Sequence, residues 1–174
     1  ITTLLKNLEL PEYRTRYRTQ RELRGRAASA VLPAVKAWVN DRKKNDPAYE
    51  KLLLEGLWAT WGQNQVDQEL LAPALKAKDH RVRAAAVQVL RYSGHQVSNQ
   101  AGLLNTAAAD EHPRVRIMAI TAATWLPEDA GRMVLATAAQ QPVEEWMKRF
   151  TEAAPKFLTG EGLKPSRGSE IVVG

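Results

Sequence analysis

Three stretches of this chain can be laid over one another with almost no gaps, and a fourth fits at the apolar positions. Arg16, Glu50, Arg83 and Arg116 stand 34, 33 and 33 residues apart. The residue before each is Thr15, Tyr49, Val82 and Val115; three after come Thr19, Leu53, Ala86 and Ala119; seven after come Leu23, Leu57, Leu90 and Ala123. A unit of this length is too small to bury its own apolar face, so successive units must stack and share one continuous core. Within residues 80 to 92, Val82, Ala86 and Leu90 fall at i, i+4 and i+8 and therefore share one helix face. The repeat predicts an all-α fold, a right-handed solenoid of antiparallel helix hairpins.

Punctuation along the chain places the units. Pro11, Pro47, Asp79-His80, Asp110 to Pro113 and Gln141-Pro142 each precede a run free of internal breaks. These are expected to open the second helix of each hairpin, with acidic residues facing the positive helix end. First helices are expected near 28–42, 67–77, 99–109 and 127–139, with residues 1–9 as a truncated one. Val31, Val35, Trp38 and Val39 form one apolar stripe there, and Leu70, Leu71, Ala74 and Leu75 another. The repeats are read as approximately 1–26, 28–62, 66–94, 98–126 and 127–158, a repeat domain over 1–158. From 159 to 174, Gly160, Gly162, Pro165, Ser166, Gly168 and Ser169 read as a flexible linker or tail.

The absence of cysteine excludes disulfides, thiolate metal sites and cysteine nucleophiles from this segment. No apolar run of about 18 residues occurs, so no membrane insertion is expected. The opening residues lack signal-peptide architecture, and the missing initiator Met suggests a fragment or a processed form. The net charge of +6 is local, because residues 12 to 26 hold six Arg against two Glu. It argues for a patch rather than a basic protein.

That patch is the sharpest candidate binding site. On a helix Arg14, Arg18 and Arg21 fall within about 60° of one another, with Tyr17 beside them. The stripe suits an anionic partner, either phosphates with a ring for stacking or an acidic neighbouring domain. Trp58 and Trp61 with Gln63 form a candidate groove if they face one side, although tryptophans in stacked hairpins are expected mainly in the core. Arg16, Arg83 and Arg116 directly follow the core position and fall at the seam between repeats. A guanidinium there reaches carbonyls, or an acid such as Asp79 or Asp110. His80 and His112 sit at equivalent helix starts about 10 Å apart, too far to share a metal. Ser29, Ser93 and Ser98 lie outside any nucleophile motif, and no paired-carboxylate or Gly-rich phosphate pattern occurs. The expectation is no catalytic residue, no metal and no cofactor.

Asp79-His80-Arg81-Val82-Arg83-Ala84-Ala85-Ala86 and His112-Pro113-Arg114-Val115-Arg116-Ile117-Met118-Ala119 resemble the second helix of HEAT repeats, and the resemblance covers roughly residues 10 to 158. More narrowly, residues 11–18, 57–63 and 78–81 resemble the HEAT region of large exported planctomycete-type proteins described as membrane-bound dehydrogenase-like or haem-binding. In that family the HEAT array lies between a sugar-dehydrogenase-like β-propeller and a cytochrome c-like module. The resemblance implies a non-enzymatic scaffold segment of a periplasmic or otherwise exported parent, joining adjacent domains or protein partners. Any oxidoreductase or haem-linked activity would lie elsewhere in that parent. The rival from another class is a HEAT-like DNA-repair glycosylase gripping a duplex with a basic concave face. It needs a basic stripe in every unit, whereas the arginines here concentrate in one helix.

Overall fold

A computed structural model of the chain describes residues 1–161; most of the expected linker at 159–174 lies outside the described residues. Among the described residues the fold is all-helical, with ten α-helices and no strand. They fall into two compact units, the first spanning Ile1–Ser98 and the second beginning at Asn99.

The first unit contains α1 (Thr2–Asn7), α2 (Tyr13–Arg24), α3 (Ala28–Asn40), α4 (Tyr49–Gly62), α5 (Gln68–Ala74) and α6 (His80–Ser93). Each odd helix packs on the even helix that follows. In addition α2 packs on α4, α4 on α6 and α1 on α3, so equivalent helices of successive hairpins lie side by side. The second unit contains α7 (Gln100–Ala108), α8 (Pro113–Ala123), α9 (Glu128–Ala139) and α10 (Glu145–Leu158). There α7 packs on α8 and α9 on α10, while α7 also packs on α9 and α8 on α10.

The repeated apolar positions are where each unit is driest. Leu23, Leu57, Leu90 and Ala123 are at most 1% exposed, and Leu53, Ala86 and Ala119 match them. Thr19 occupies the same position in α2 and is also buried. Each such leucine stabilises the fold by roughly 1.5–3 kcal/mol relative to exposure. α4 lies between α2 and α6 and is buried on nearly all sides, from Leu52 to Leu57 and again at Ala59 and Thr60. Its approach to α3 depends on Gly56, where an added Cβ would lie 2.5 Å from Val39 Cγ2. A branched valine cannot swing away from that contact. In the second unit Gly131 does the same for α9, since a Cβ there would lie 2.7 Å from the Ala123 carbonyl oxygen of α8.

The helix starts follow from caps. Asp67 Oδ1 accepts from the N–H groups of Glu69 and Leu70 at 2.9 and 3.2 Å, and Asn99, at φ 59°, accepts from Gly102 at 3.2 Å. His112 Nδ1 accepts from Arg114 at 3.1 Å. Three expected starts are corrected. Pro11 lies outside α2, which begins at Tyr13 after the extended Glu12. Asp46 Oδ1 accepts from Ala48 N at 2.8 Å, a local turn that carries Pro47 outside α4, which begins at Tyr49. Likewise Gln141-Pro142 precedes α10 by a short extended stretch ending at Glu144. The core expectation for tryptophan also divides. Trp38 is buried, with its indole N–H donating to Glu9 Oε1 at 3.0 Å, but Trp125 is 62% exposed in the turn after α8 and Trp146 is 49% exposed on α10.

Asp79 caps α6 by accepting from Arg81 N at 2.8 Å, and the Arg81 guanidinium forks onto both carboxylate oxygens at 2.7 to 3.0 Å. The guanidinium hydrogen bonds foremost, joined by the backbone one, hold the Asp79 carboxyl down at about 2, against a partial burial that pushes it up. A carboxyl depressed on folding stabilises fully above its unfolded value, near 3.9, and the contribution is lost as pH falls through the folded value. Urea unfolding should therefore find Asp79→Asn less stable than the parent at about pH 6, by under about 1 kcal/mol. That gap should close between about pH 4 and pH 2; one that persists at pH 2 would exclude the carboxylate as its source.

Candidate functional site

The seam arginines act on backbone. Arg16 Nη1 donates to the carbonyls of Leu10 and Pro11 at 2.9 and 2.6 Å, Arg83 Nη1 to those of Ala77 and Lys78 at 2.8 and 3.0 Å, and Arg116 Nη1 to those of Asp110 and Glu111, both at 2.9 Å. In every case the acceptors lie six and five residues earlier, in the turn that joins the two helices of that hairpin. Those carbonyls are past the end of the first helix and have no helical partner. Arg83 and Arg116 are 8% and 4% exposed, so each guanidinium is removed from water and matched by fixed dipoles. Arg116 also reaches the next hairpin, where Nη2 donates to the Pro142 carbonyl at 2.7 Å. Of the two acids expected as partners, Asp110 offers Arg116 its backbone carbonyl, and the Asp79 carboxylate is held by Arg81.

Glu50 stands in the arginine's place in the second repeat and works with reversed polarity. Its carboxylate accepts from the N–H groups of Lys78 and Asp79 at 2.7 and 2.9 Å, ahead of α6. The register brings the side chain to the same seam, where it meets donors of the following hairpin.

Between α2 and α4 a cleft of about 290 Å³ is lined by Tyr13, Arg16, Tyr17, Gln20, Glu55 and Trp58. Its floor is an ion pair. Glu55, 4% exposed, accepts from Arg16 Nε at 2.8 Å and from Gln20 Nε2 at 2.9 Å, and Gln20 Nε2 is also 3.0 Å from the Glu55 carbonyl oxygen. A buried carboxylate paired this way adds no net charge to the floor, and it holds all three side chains in place. The wall is aromatic: Tyr13 and Tyr17, one turn apart, stack with centroids 6.1 Å apart and remain 69% and 52% exposed. Trp58 is half-buried beside them.

Arg14, Arg18 and Arg21 are all exposed on the flank of α2 next to this wall, and among the described residues none of the three is in an ion pair. Of the other arginines of the region, Arg16 is paired with Glu55 and Arg26 with Glu22, while Arg24, at the end of α2, is exposed. Tyr17 thus connects the basic row to the cleft. The expected groove of Trp58, Trp61 and Gln63 is not one site. Only Trp58 lines the cleft; the Trp61 indole N–H donates to Ser93 Oγ at 2.9 Å and its ring stacks on Tyr92, while Gln63 Nε2 donates to the Leu23 carbonyl at 2.6 Å. Positions 58 and 61 are only about 60° apart around the helix, but α4 has neighbours on both sides, and that step is enough to turn them towards different ones.

Sequence reading passed over Tyr13, Gln20 and Glu55. The signals were present: Tyr13 precedes Tyr17 by four, and Glu55 is a lone acid inside the apolar run Leu52 to Leu57, where a charge must find a partner. Among the described residues no three of His, Cys, Asp and Glu come together as metal ligands would, and no helix is long and apolar enough to cross a membrane. Compared with protein-family models, curated proteins and solved structures, the chain matches none.

Arg116→Met keeps the bulk of the side chain but strips three carbonyls of their donor. It should destabilise the chain by about 2–4 kcal/mol in chemical denaturation. Arg116→Lys should recover less than half of that loss, because one ammonium cannot span both turns. Full recovery by lysine would mean that charge alone is what the seam requires.

Proposed function

We propose that this chain is a non-catalytic interaction module, a HEAT-like right-handed solenoid over residues 1–158 that joins protein partners or adjacent domains. The observation that carries the reading is the arginine clamp repeated at Arg16, Arg83 and Arg116, with the same carbonyl acceptors relative to each arginine. Three units held by one device, together with side-by-side packing of equivalent helices inside each compact unit, are what a stacked-hairpin array requires. Glu55, the one buried acid among the described residues, is engaged with Arg16 and Gln20, so the interior polar groups serve to join hairpins. What remains outward for a partner is the aromatic cleft and the basic row of α2.

The further reading, that the module belongs to an exported multidomain dehydrogenase-like or haem-binding parent, rests on the resemblance of residues 11–18, 57–63 and 78–81. The coding sequence on either side tests it. A propeller pattern on one side and Cys-x-x-Cys-His on the other are expected, and flanks with neither would remove that parent.

The glycosylase reading draws on the same arginines. However, i to i+7 on a helix spans only about 10 Å, enough for two or three phosphates. In a titration with duplex DNA at varied salt, the chain should show no binding tighter than about 1 µM near 0.1 M salt, with a log–log salt slope no steeper than about 3. Tight binding with a slope of about 6 or more would replace the interaction module by a duplex-gripping protein.

A further inference from the structure

The floor of the α2–α4 cleft is rigid and neutral, its wall is exposed aromatic surface, and its rim is uncompensated positive charge. These three properties ask for different things of a ligand. Glu55 has no free valence for a cation, since Arg16 and Gln20 already hold its oxygens at 2.8 and 2.9 Å. The space above it, about 290 Å³, is at the lower limit of small-molecule sites and accommodates a single ring. Tyr13 and Tyr17 leave more than half of their surface in water although a stacked pair is well suited to bury a third apolar group. Arg14, Arg18 and Arg21 repel one another at i, i+4 and i+7 spacing, which destabilises the free helix. A partner's negative charges would remove that cost.

We propose that the α2–α4 cleft is a docking site for an acidic peptide segment, which seats one aromatic side chain against Tyr17 and Trp58 and lays its carboxylates along Arg14, Arg18 and Arg21. The inference rests on the interaction-module reading and specifies the partner's chemistry. Spacing supports it: residues four apart on a helix are about 6 Å apart along the axis, and alternate side chains of an extended peptide recur every 6.8 Å or so. An acid-x-acid sequence therefore keeps step with Arg14 and Arg18 while the anchor turns over Tyr17 into the cleft. Charge also separates this occupant from a nucleic acid. The basic row does not continue on α6 of the same unit, where Arg81 is forked onto Asp79. A strand with a charge on every nucleotide gains nothing beyond the few arginines of α2, which end at Arg24, whereas the charge of a peptide can end where the row ends.

The test uses the whole 174-residue chain and fluorescence anisotropy. The probes are a labelled peptide of about ten residues, Glu and Asp around a central Phe, the same peptide with Ala at the centre, and an oligothymidine of similar length. The Phe peptide should bind, and the Ala peptide should bind about tenfold or more weakly. Combining Arg14→Glu, Arg18→Glu and Arg21→Glu should weaken the Phe peptide by at least about tenfold, as should raising salt from about 0.05 to 0.3 M. All three positions are exposed, so the fold is spared and a helical circular-dichroism spectrum checks it. Tyr17→Ala should give a loss of similar size. Equal binding of the Phe and Ala peptides, or an unchanged affinity in the triple variant, overturns the docking site. So does preference for oligothymidine, which would make the surface a single-strand interface. Binding of none of the probes also overturns it but leaves the interaction module standing, since duplex titration and the flanking coding sequence decide that separately.

Discussion

Hairpin turns are the weak points of a chain built from short helices, because the carbonyls of the turn, past the end of the first helix, have no helical N–H to accept from. One guanidinium satisfies two of them at once. Arg16, Arg83 and Arg116 do this with the same reach, six and five residues back along the chain. The planar fork is what makes it work, since one nitrogen serves the turn while another stays available to the neighbouring hairpin. Arg116 uses that spare donor on Pro142, and Arg16 uses Nε on Glu55. Hairpin closure and hairpin-to-hairpin registry thus depend on the same side chain.

The α2–α4 cleft is a by-product of this arrangement. Once Arg16 is committed to the turn carbonyls, its remaining N–H calls for an acceptor on α4, and Glu55 supplies it from within an apolar run. Gln20 completes the carboxylate. The polar floor keeps α2 from closing on α4 as tightly as two apolar faces would, and the tyrosines of α2 form a wall over the space that remains. Structural pairing and the candidate binding surface therefore share Arg16, which links the stability of the first unit to the shape of the cleft.

Much of this was legible one residue at a time. Leu23, Leu57, Leu90 and Ala123 recur in register because burial at a fixed place in each unit selects for it, and all four are buried. Asp79 ahead of an apolar-periodic run is read as a helix start for a local reason, its carboxylate meeting the N–H of a residue two positions on. Glu50 was legible only as an exception to the arginine column. Its partners, Lys78 and Asp79, are brought to it by the packing of α4 against the next hairpin, and nothing in the period states which groups stand opposite. Trp58 and Trp61 illustrate the same limit. Three residues apart on one helix, they face different neighbours, because α4 is covered on both sides and a small angular step changes the partner.

From residues alone came the all-helical class, the positions of ten helices to within a few residues, the buried column and the basic character of α2. Each follows from spacing along the chain or from a group's nearest covalent neighbours. The fork of Arg16 onto Glu55, the reversed role of Glu50, the exposure of Trp125 and Trp146 and the union of Tyr13, Tyr17 and Trp58 in one cleft came with the folded chain. These depend on distances between side chains tens of residues apart, and such distances are set by how helices rotate and approach when their apolar faces are packed.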